Sequence, residues 1–286
     1  MKRARGRTTG CGALCLILLL LGLPAGAQTP KEDGSYLKTV ELCNSAEHAP
    51  LETRIGGCTA FINAHQGATK ALAIAYNNRG NAYAETGDYD RAIRDFDQSI
   101  ELNPAYSKPF NNRGVAYLRK GEYDLAIKAL DEAIKLDPNY VDAYFNRAAA
   151  HLKKNEYDHA TRDYDEVIRL QPNLDAVWNA RCWARAMTGV LQAALEDCNK
   201  AIQLAANNAA AHDSRGLIHL KMGQWSAAID DYSSALRLAP NMASALYGRG
   251  LARLRQGDKA GGDTDLSAAE RIQDGIGEDF GRYGVR

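Results

Sequence analysis

AIAYNNRGNAYAETGDYDRAIRDFDQSIELNPAY, residues 73–106, is the stretch on which the reading of the whole chain turns. One 34-residue step further on, FNNRGVAYLRKGEYDLAIKALDEAIKLDPNY (110–140) repeats its pattern. Prolines recur at 104, 138 and 172, are missing at Ala206, and return at 240, so the period of 34 holds without drift. A fixed period of this length marks a solenoid of stacked helical hairpins, each burying its apolar face on its neighbours.

With Ala73 as position 1, small residues fall at position 8 (Gly80, Gly114, Ala148, Cys182, Gly216, Gly250) and position 20 (Ala92, Ala126, Ala160, Ala194, Ala228, Gly262). They permit two antiparallel helices to approach closely. Larger residues at position 4 (Tyr76, Phe110, Tyr144, Trp178, His212, Leu246) and position 24 (Phe96, Leu130, Tyr164, Cys198, Tyr232, Leu266) fill the layer between them. Turns are expected near Gly87, Gly121, Asn155, Gly189, Gly223 and Gly257, and the proline stops the second helix.

On these positions the sequence resembles the tetratricopeptide repeat (TPR) family, with six consecutive repeats over 73–276. The resemblance implies an all-α fold, a right-handed superhelix of antiparallel helix pairs, and a scaffold with no activity of its own. Its end, RGLARLRQGDKAGGDTDLSAAERI with a short aromatic tail, is similar to exported bacterial TPR proteins.

The flanks differ. Lys2, Arg3, Arg5 and Arg7 precede an apolar run from Ala13 to Leu23 and a small-x-small site, Ala25-Gly26-Ala27. Residues 1–27 read as a secretory signal peptide cut before Gln28, since the apolar run is too short to span a bilayer. Residues 28–35 form a polar lead-in, 36–72 a degenerate helical cap, and 277–286 a tail, whose Phe280 and Tyr283 close the last apolar face together with Ile276 just before it. Repeat four (175–208) departs most from the pattern, and its packing is expected to be the poorest. Gly261-Gly262 should delay the second helix of repeat six, at about 1 kcal/mol per glycine.

The chain carries 35 basic and 35 acidic residues; without the leader, 31 basic face 35 acidic. That balance leaves no nucleic-acid footprint, and no integral membrane segment survives cleavage. Four cysteines remain. Cys43 and Cys58 straddle Pro50, Cys182 and Cys198 straddle Val190, and a hairpin sets such equidistant residues level, so both pairs are candidate disulfides.

Arginine stands at position 7 of all six repeats, and aspartate at position 23 of five. The expected pairs are Arg79–Asp95, Arg147–Asp163, Arg181–Asp197, Arg215–Asp231 and Arg249–Asp265, with Arg113 the exception, reaching Asp131 or a neighbouring repeat. The triplets Asp95–Asp97, Asp163–Asp165 and Asp263–Asp265, in second helices, read as by-products of this pattern. The alternative role for the arginines is anion binding in the groove.

The resemblance also implies that first helices line a concave groove, with positions 2, 5, 9, 12 and 13 facing a ligand. In repeats one to three these include Asn77, Asn81, Lys108, Asn111, Arg119, Phe145, Leu152 and Lys153. In repeats four to six they include Asn179, Trp183, Lys221, Tyr247 and Arg255. Asparagines suit a peptide backbone, and exposed aromatics suit apolar anchors. The expected role is an exported, periplasmic, non-catalytic scaffold for a protein or peptide partner. The alternative is an envelope-associated structural protein binding a cell-wall polymer. No catalytic motif or cofactor or metal signature appears, and His151 and His219 at position 11 read as packed residues.

Overall fold

The computed structural model describes residues 40–44, 49–64 and 69–285. The signal-peptide and lead-in segments lie outside the described residues. Everything described is helix, turn or connecting chain, with no strand among the described residues. Residues 40–44 are helical and precede α1 (Leu51–Ala64). Twelve helices then pair off: α2 (Thr69–Glu85) with α3 (Tyr89–Leu102), α4 (Ser107–Lys120) with α5 (Tyr123–Leu136), α6 (Val141–Lys153) with α7 (Tyr157–Leu170), α8 (Asp175–Met187) with α9 (Leu191–Leu204), α10 (Ala209–Lys221) with α11 (Trp225–Leu238), and α12 (Ala243–Gln256) with α13 (Lys259–Ile272). A seven-residue helix, α14 (Ile276–Arg282), is the last among the described residues.

The hairpin turns fall where the sequence places them. Backbone φ is +83° at Gly87, +91° at Gly257 and +59° at Asn155, the left-handed conformation that ends a helix with least steric cost on glycine or asparagine. Close approach at position 8 is equally direct: a Cβ on Gly80 would stand 2.6 Å from the Phe96 ring and 3.1 Å from the Ala92 carbonyl oxygen. Loss of the proline at 206 does not extend α9, which ends at Leu204. Asn208 then starts the next helix, accepting from the Ala211 amide (3.0 Å) to cap α10 and donating to Asp175 (2.7 Å).

Two sequence expectations need correction. α13 is not delayed: it starts at Lys259 with an Asp258 cap on the Gly261 amide and matches its counterparts in length. Gly262 is required there, because a Cβ would lie 2.6 Å from Leu254 Cγ and 3.0 Å from the Gly250 carbonyl. Nor is the α8–α9 hairpin poorly packed; Cys182, Ala194 and Cys198 are fully buried. Between repeats four and five, α9 meets α10 less extensively than the other second helices meet the next first helix, while α8 packs on α10 directly.

At the amino-terminal end, Cys43 is bonded to Cys58 with Cα atoms 4.4 Å apart, and Phe61 and Ala75 complete the cap's core. Arg54, 5% exposed, ties α1 to the end of α2 through two hydrogen bonds to Glu85 (2.8 and 3.0 Å). Cys182 is bonded to Cys198 across repeat four at a Cα separation of 5.4 Å. Both separations lie in the range a disulfide requires.

Candidate functional site: the inner face of the solenoid

Curvature follows from which helices touch. Successive first helices meet one another (α2 with α4, α4 with α6, α8 with α10, α10 with α12), whereas among the described residues second helices make no contact of that extent. The first helices therefore line the inside of the curve.

The position-7 arginines are spent on structure. Arg79 Nε and Nη2 bind the Asp95 carboxylate at 2.7 and 2.8 Å, and Arg181, Arg215 and Arg249 grip Asp197, Asp231 and Asp265 in the same fork (2.6–2.9 Å). Arg147 holds Asp163 likewise, with Nε 3.0 Å from Oδ2. These aspartates are nearly buried, and bidentate geometry makes such pairs strong. Burial alone would lower the Arg147 pKa, but hydrogen bonds and charge from Asp163 and Asp131 outweigh it and hold it above its ordinary range.

The remaining nitrogen, Nη1, reaches into the preceding repeat. Arg113 meets Asp97 (2.5 Å), Arg147 meets Asp131 (2.6 Å), Arg181 meets Asp165 (2.6 Å) and Arg215 meets Asn199 (2.8 Å). Asp97 and Asp165 are thus inter-repeat latches, not by-products, and Arg113 takes the neighbouring repeat while Asp131 serves Arg147. In repeats one to four the guanidinium also lies over the position-4 ring, from 4.8 Å at Trp178 to 5.5 Å at Phe110 and Tyr144. An arginine held on three sides is not poised for an anion.

Repeat two lacks the position-23 acid, and Arg113 Nε is buried without a hydrogen-bond partner among the described residues. Ala129→Asp should supply it. The five other repeats already house aspartate at this position, and an orphaned buried donor costs about 1–3 kcal/mol. The expected result is a thermal midpoint raised by a few degrees, read by circular dichroism, and a lowered midpoint would contradict this account of the ladder.

Asn77 and Asn111 do not face a ligand. They are 3% and 6% exposed, and their carbonyl oxygens accept from Asn112 and Asn146 of the following repeats, both at 3.0 Å. Asn78 starts this ladder by donating to Asn44 (3.1 Å). Of the residues expected on the inner face of repeats one to three, Lys108, Arg119, Phe145 and Lys153 are exposed, and Asn81 and Leu152 are half-buried. Asn179 of repeat four is half-buried too.

The other half of the face is filled by the chain itself. Phe280 of α14 packs on Tyr247 (ring centroids 4.8 Å), and Tyr283 meets Trp183 edge-on (6.0 Å). Tyr157 packs edge-on against Trp183 as well. Gly284 and Val285 border a small cavity with Lys221, Trp225 and Arg255. Lys221 donates to the Ala186 carbonyl (2.7 Å), and burial pushes its ammonium pKa down. Trp183, Lys221 and Tyr247 are therefore engaged by the tail or by the frame.

Across the repeat-three turn, His151 Nδ1 lies 2.7 Å from Glu156 Oε2 and its ring stacks on His159 at 4.9 Å. The three ligand atoms fall within 4.8 Å of one another. Lys154 already holds the other oxygen of Glu156 at 2.7 Å, and together with His151 it pulls that carboxyl down to about 2. An ammonium seated on the carboxylate makes this a salt-bridged turn.

Tetratricopeptide-repeat family models match residues 73–106, 96–128 and 141–174, and a TPR-repeat model matches 116–155 and 216–257. Together they span about half of the chain, which belongs to the TPR family. The divergent repeat four lies outside these matches. A TPR protein from Parabacteroides merdae superposes with a TM-score of 0.65 at 16% identity, covering 88% of this chain and 98% of that one. PilF of Pseudomonas aeruginosa does so at 0.60 and 16%, covering 71% and 92%. YrrB, described as a TPR protein with an unusual peptide-binding site, gives 0.52 at 20%, covering 63% and 94%. At these identities the likeness is one of fold. No curated protein matches the sequence. Among the described residues no helix is long and apolar enough to cross a membrane.

Proposed function

We propose that the chain is an exported, non-catalytic scaffold that works in the periplasm and takes a segment of a partner protein on its inner face. The observation that carries this reading is the contrast along that face. Its polar ladders close on themselves, while Lys108, Arg119 and Lys153 stand exposed with no partner among the described residues, and Phe145 stays 38% exposed although its ring meets Tyr164 edge-on (5.9 Å). An exposed aromatic among cations is the composition of an interface anchor. YrrB, of the same fold, has a peptide-binding site by its description, which supports the same use here.

Export rests on the basic head, short apolar run and Ala25-Gly26-Ala27 site, joined by two disulfides of a kind that persist in oxidising compartments. Mature protein from the periplasmic fraction is expected to begin at Gln28. Intact Met1 on cytoplasmic material would overturn the localisation. A photocrosslinker placed in turn at Arg119, Phe145 and Lys153 should capture one recurrent partner, and Phe145→Asp should abolish the capture. Equal capture from Glu101, on the outer helix α3, would defeat the groove reading.

A further inference from the structure

Residues 275–285 do not continue the solenoid. A seventh repeat would stack on repeat six and touch nothing earlier. Instead Gly275 takes a left-handed turn (φ +76°), and α14 brings Tyr283 to Trp183, on the first helix of repeat four. Ile276 and Phe280 are buried (3% and 2%), and Gly277 lies so close to Tyr247 that a Cβ would sit 2.8 Å from its hydroxyl. The tail thus occupies the inner face of repeats four to six as an apolar ligand would, with anchors at i, i+4 and i+7.

Its polar complement is missing. Asp213 on α10 accepts from Ser244 Oγ at 3.0 Å through Oδ2, but its Oδ1 is buried without a hydrogen-bond partner among the described residues. Burial pushes the Asp213 carboxyl up to about 7. Tyr283 lies near enough that, after burial and the charge of Asp279, Asp213 adds to the upward push on its phenol, yet the two form no hydrogen bond. The neighbouring Tyr232 hydroxyl is likewise buried and unpartnered among the described residues. An unsatisfied buried carboxylate oxygen is a standing cost that the tail leaves uncorrected.

We propose that the tail is a resident surrogate for a partner helix, and that the partner carries an aliphatic residue, an aromatic and an arginine at i, i+4 and i+7. These would fill the places of Ile276, Phe280 and Tyr283, with the guanidinium on Asp213 and against the Trp183 ring. Helix-in-groove recognition uses this spacing, and arginine satisfies both a carboxylate and an aromatic face. The proposal rests on the reading of the inner face as a partner-binding surface.

Two labelled peptides test it on the full chain by fluorescence anisotropy: a copy of residues 275–286, and the same peptide with arginine in place of Tyr283. The arginine peptide should bind at least about tenfold tighter, the gain expected of a charge-assisted hydrogen bond. Asp213→Asn should erase that preference and leave the copy's affinity unchanged. Phe280→Ala/Tyr283→Ala in the chain should tighten both peptides by removing the competitor. If that double variant is not folded by circular dichroism, Tyr283→Ala alone replaces it, since Ile276 and Phe280 stay in place. Equal affinities for the two peptides, no binding of the arginine peptide, or no gain on loosening the tail would overturn the proposal and leave the segment a structural cap. Partner capture at Arg119 and Phe145 would be unaffected by that failure, which separates it from failure of the scaffold reading.

Discussion

Asp197→Ala is expected to lower the thermal unfolding midpoint by about 10 °C, since breaking a buried ion pair costs roughly 3–5 kcal/mol. Asp197 is 2% exposed and holds two arginines at once: Arg181 through Nε and Nη2, and Arg185 through Nη1 at 2.8 Å. Removing it leaves both guanidinium groups facing the gap, with the half-exposed Asp165 as the nearest remaining acid. Asp165→Ala is the matched control. Its carboxylate meets the same arginines, but the side chain is 46% exposed, so its loss should cost at most about 1 kcal/mol. Thermal melts of the two variants side by side decide the matter. Equal effects would mean that the intra-repeat pairs are ordinary surface ion pairs and that burial of the aspartate does not govern the ladder.

Features that repeat with the chain's own period were legible before the structure. The turn glycines and Asn155, the helix pairs and the Arg–Asp pairs 16 residues apart all lie within one hairpin, where sequence spacing converts directly into distance. Features that depend on the offset between repeats were not. The reach of Arg147 to Asp131 and of Arg181 to Asp165 needs the angle between neighbouring hairpins, which no spacing encodes. The same offset turns Asn77 and Asn111 away from the groove and into hydrogen bonds with the next repeat. The tail was legible only as an apolar closure. Its path depends on a single reversal at Gly275, and nothing periodic marks Trp183 as its end point. No pattern at position 5 announces that Asp213 Oδ1 is buried without a partner among the described residues.

Removal of the Cys182–Cys198 bridge should split the thermal transition in two, with a loss of about 3 kcal/mol by the chain-entropy model for a loop of this length. The bond joins α8 to α9 across 16 residues of sequence, and both sulfurs are buried in the core of repeat four with Ala186, Ala194 and Ile218. Stability in a solenoid passes only through neighbours, so a weakened middle unit separates the two halves. The position makes this effect large, because repeat four has three repeats before it and two behind it, and coupling between them passes through its two helices. Ties cross the junction with repeat five from the far side, among them Arg215 to Asn199, Lys221 to the Ala186 carbonyl, and Tyr283 to Trp183. Cys182→Ala/Cys198→Ala is the variant of choice, since alanine leaves no buried hydroxyl and the closed core shields the bond from reductant. Adding Tyr283→Ala should widen the gap between the two transitions by removing one of the ties. The Cys43–Cys58 bridge supplies the contrast: it closes a loop of similar length at the end of the array, so its removal should fray the cap and leave one main transition in place. A single unshifted melt for the repeat-four variant, or the same response to both pairs, would show that the halves are coupled through packing alone and that the disulfide's place in the middle of the array carries no special weight.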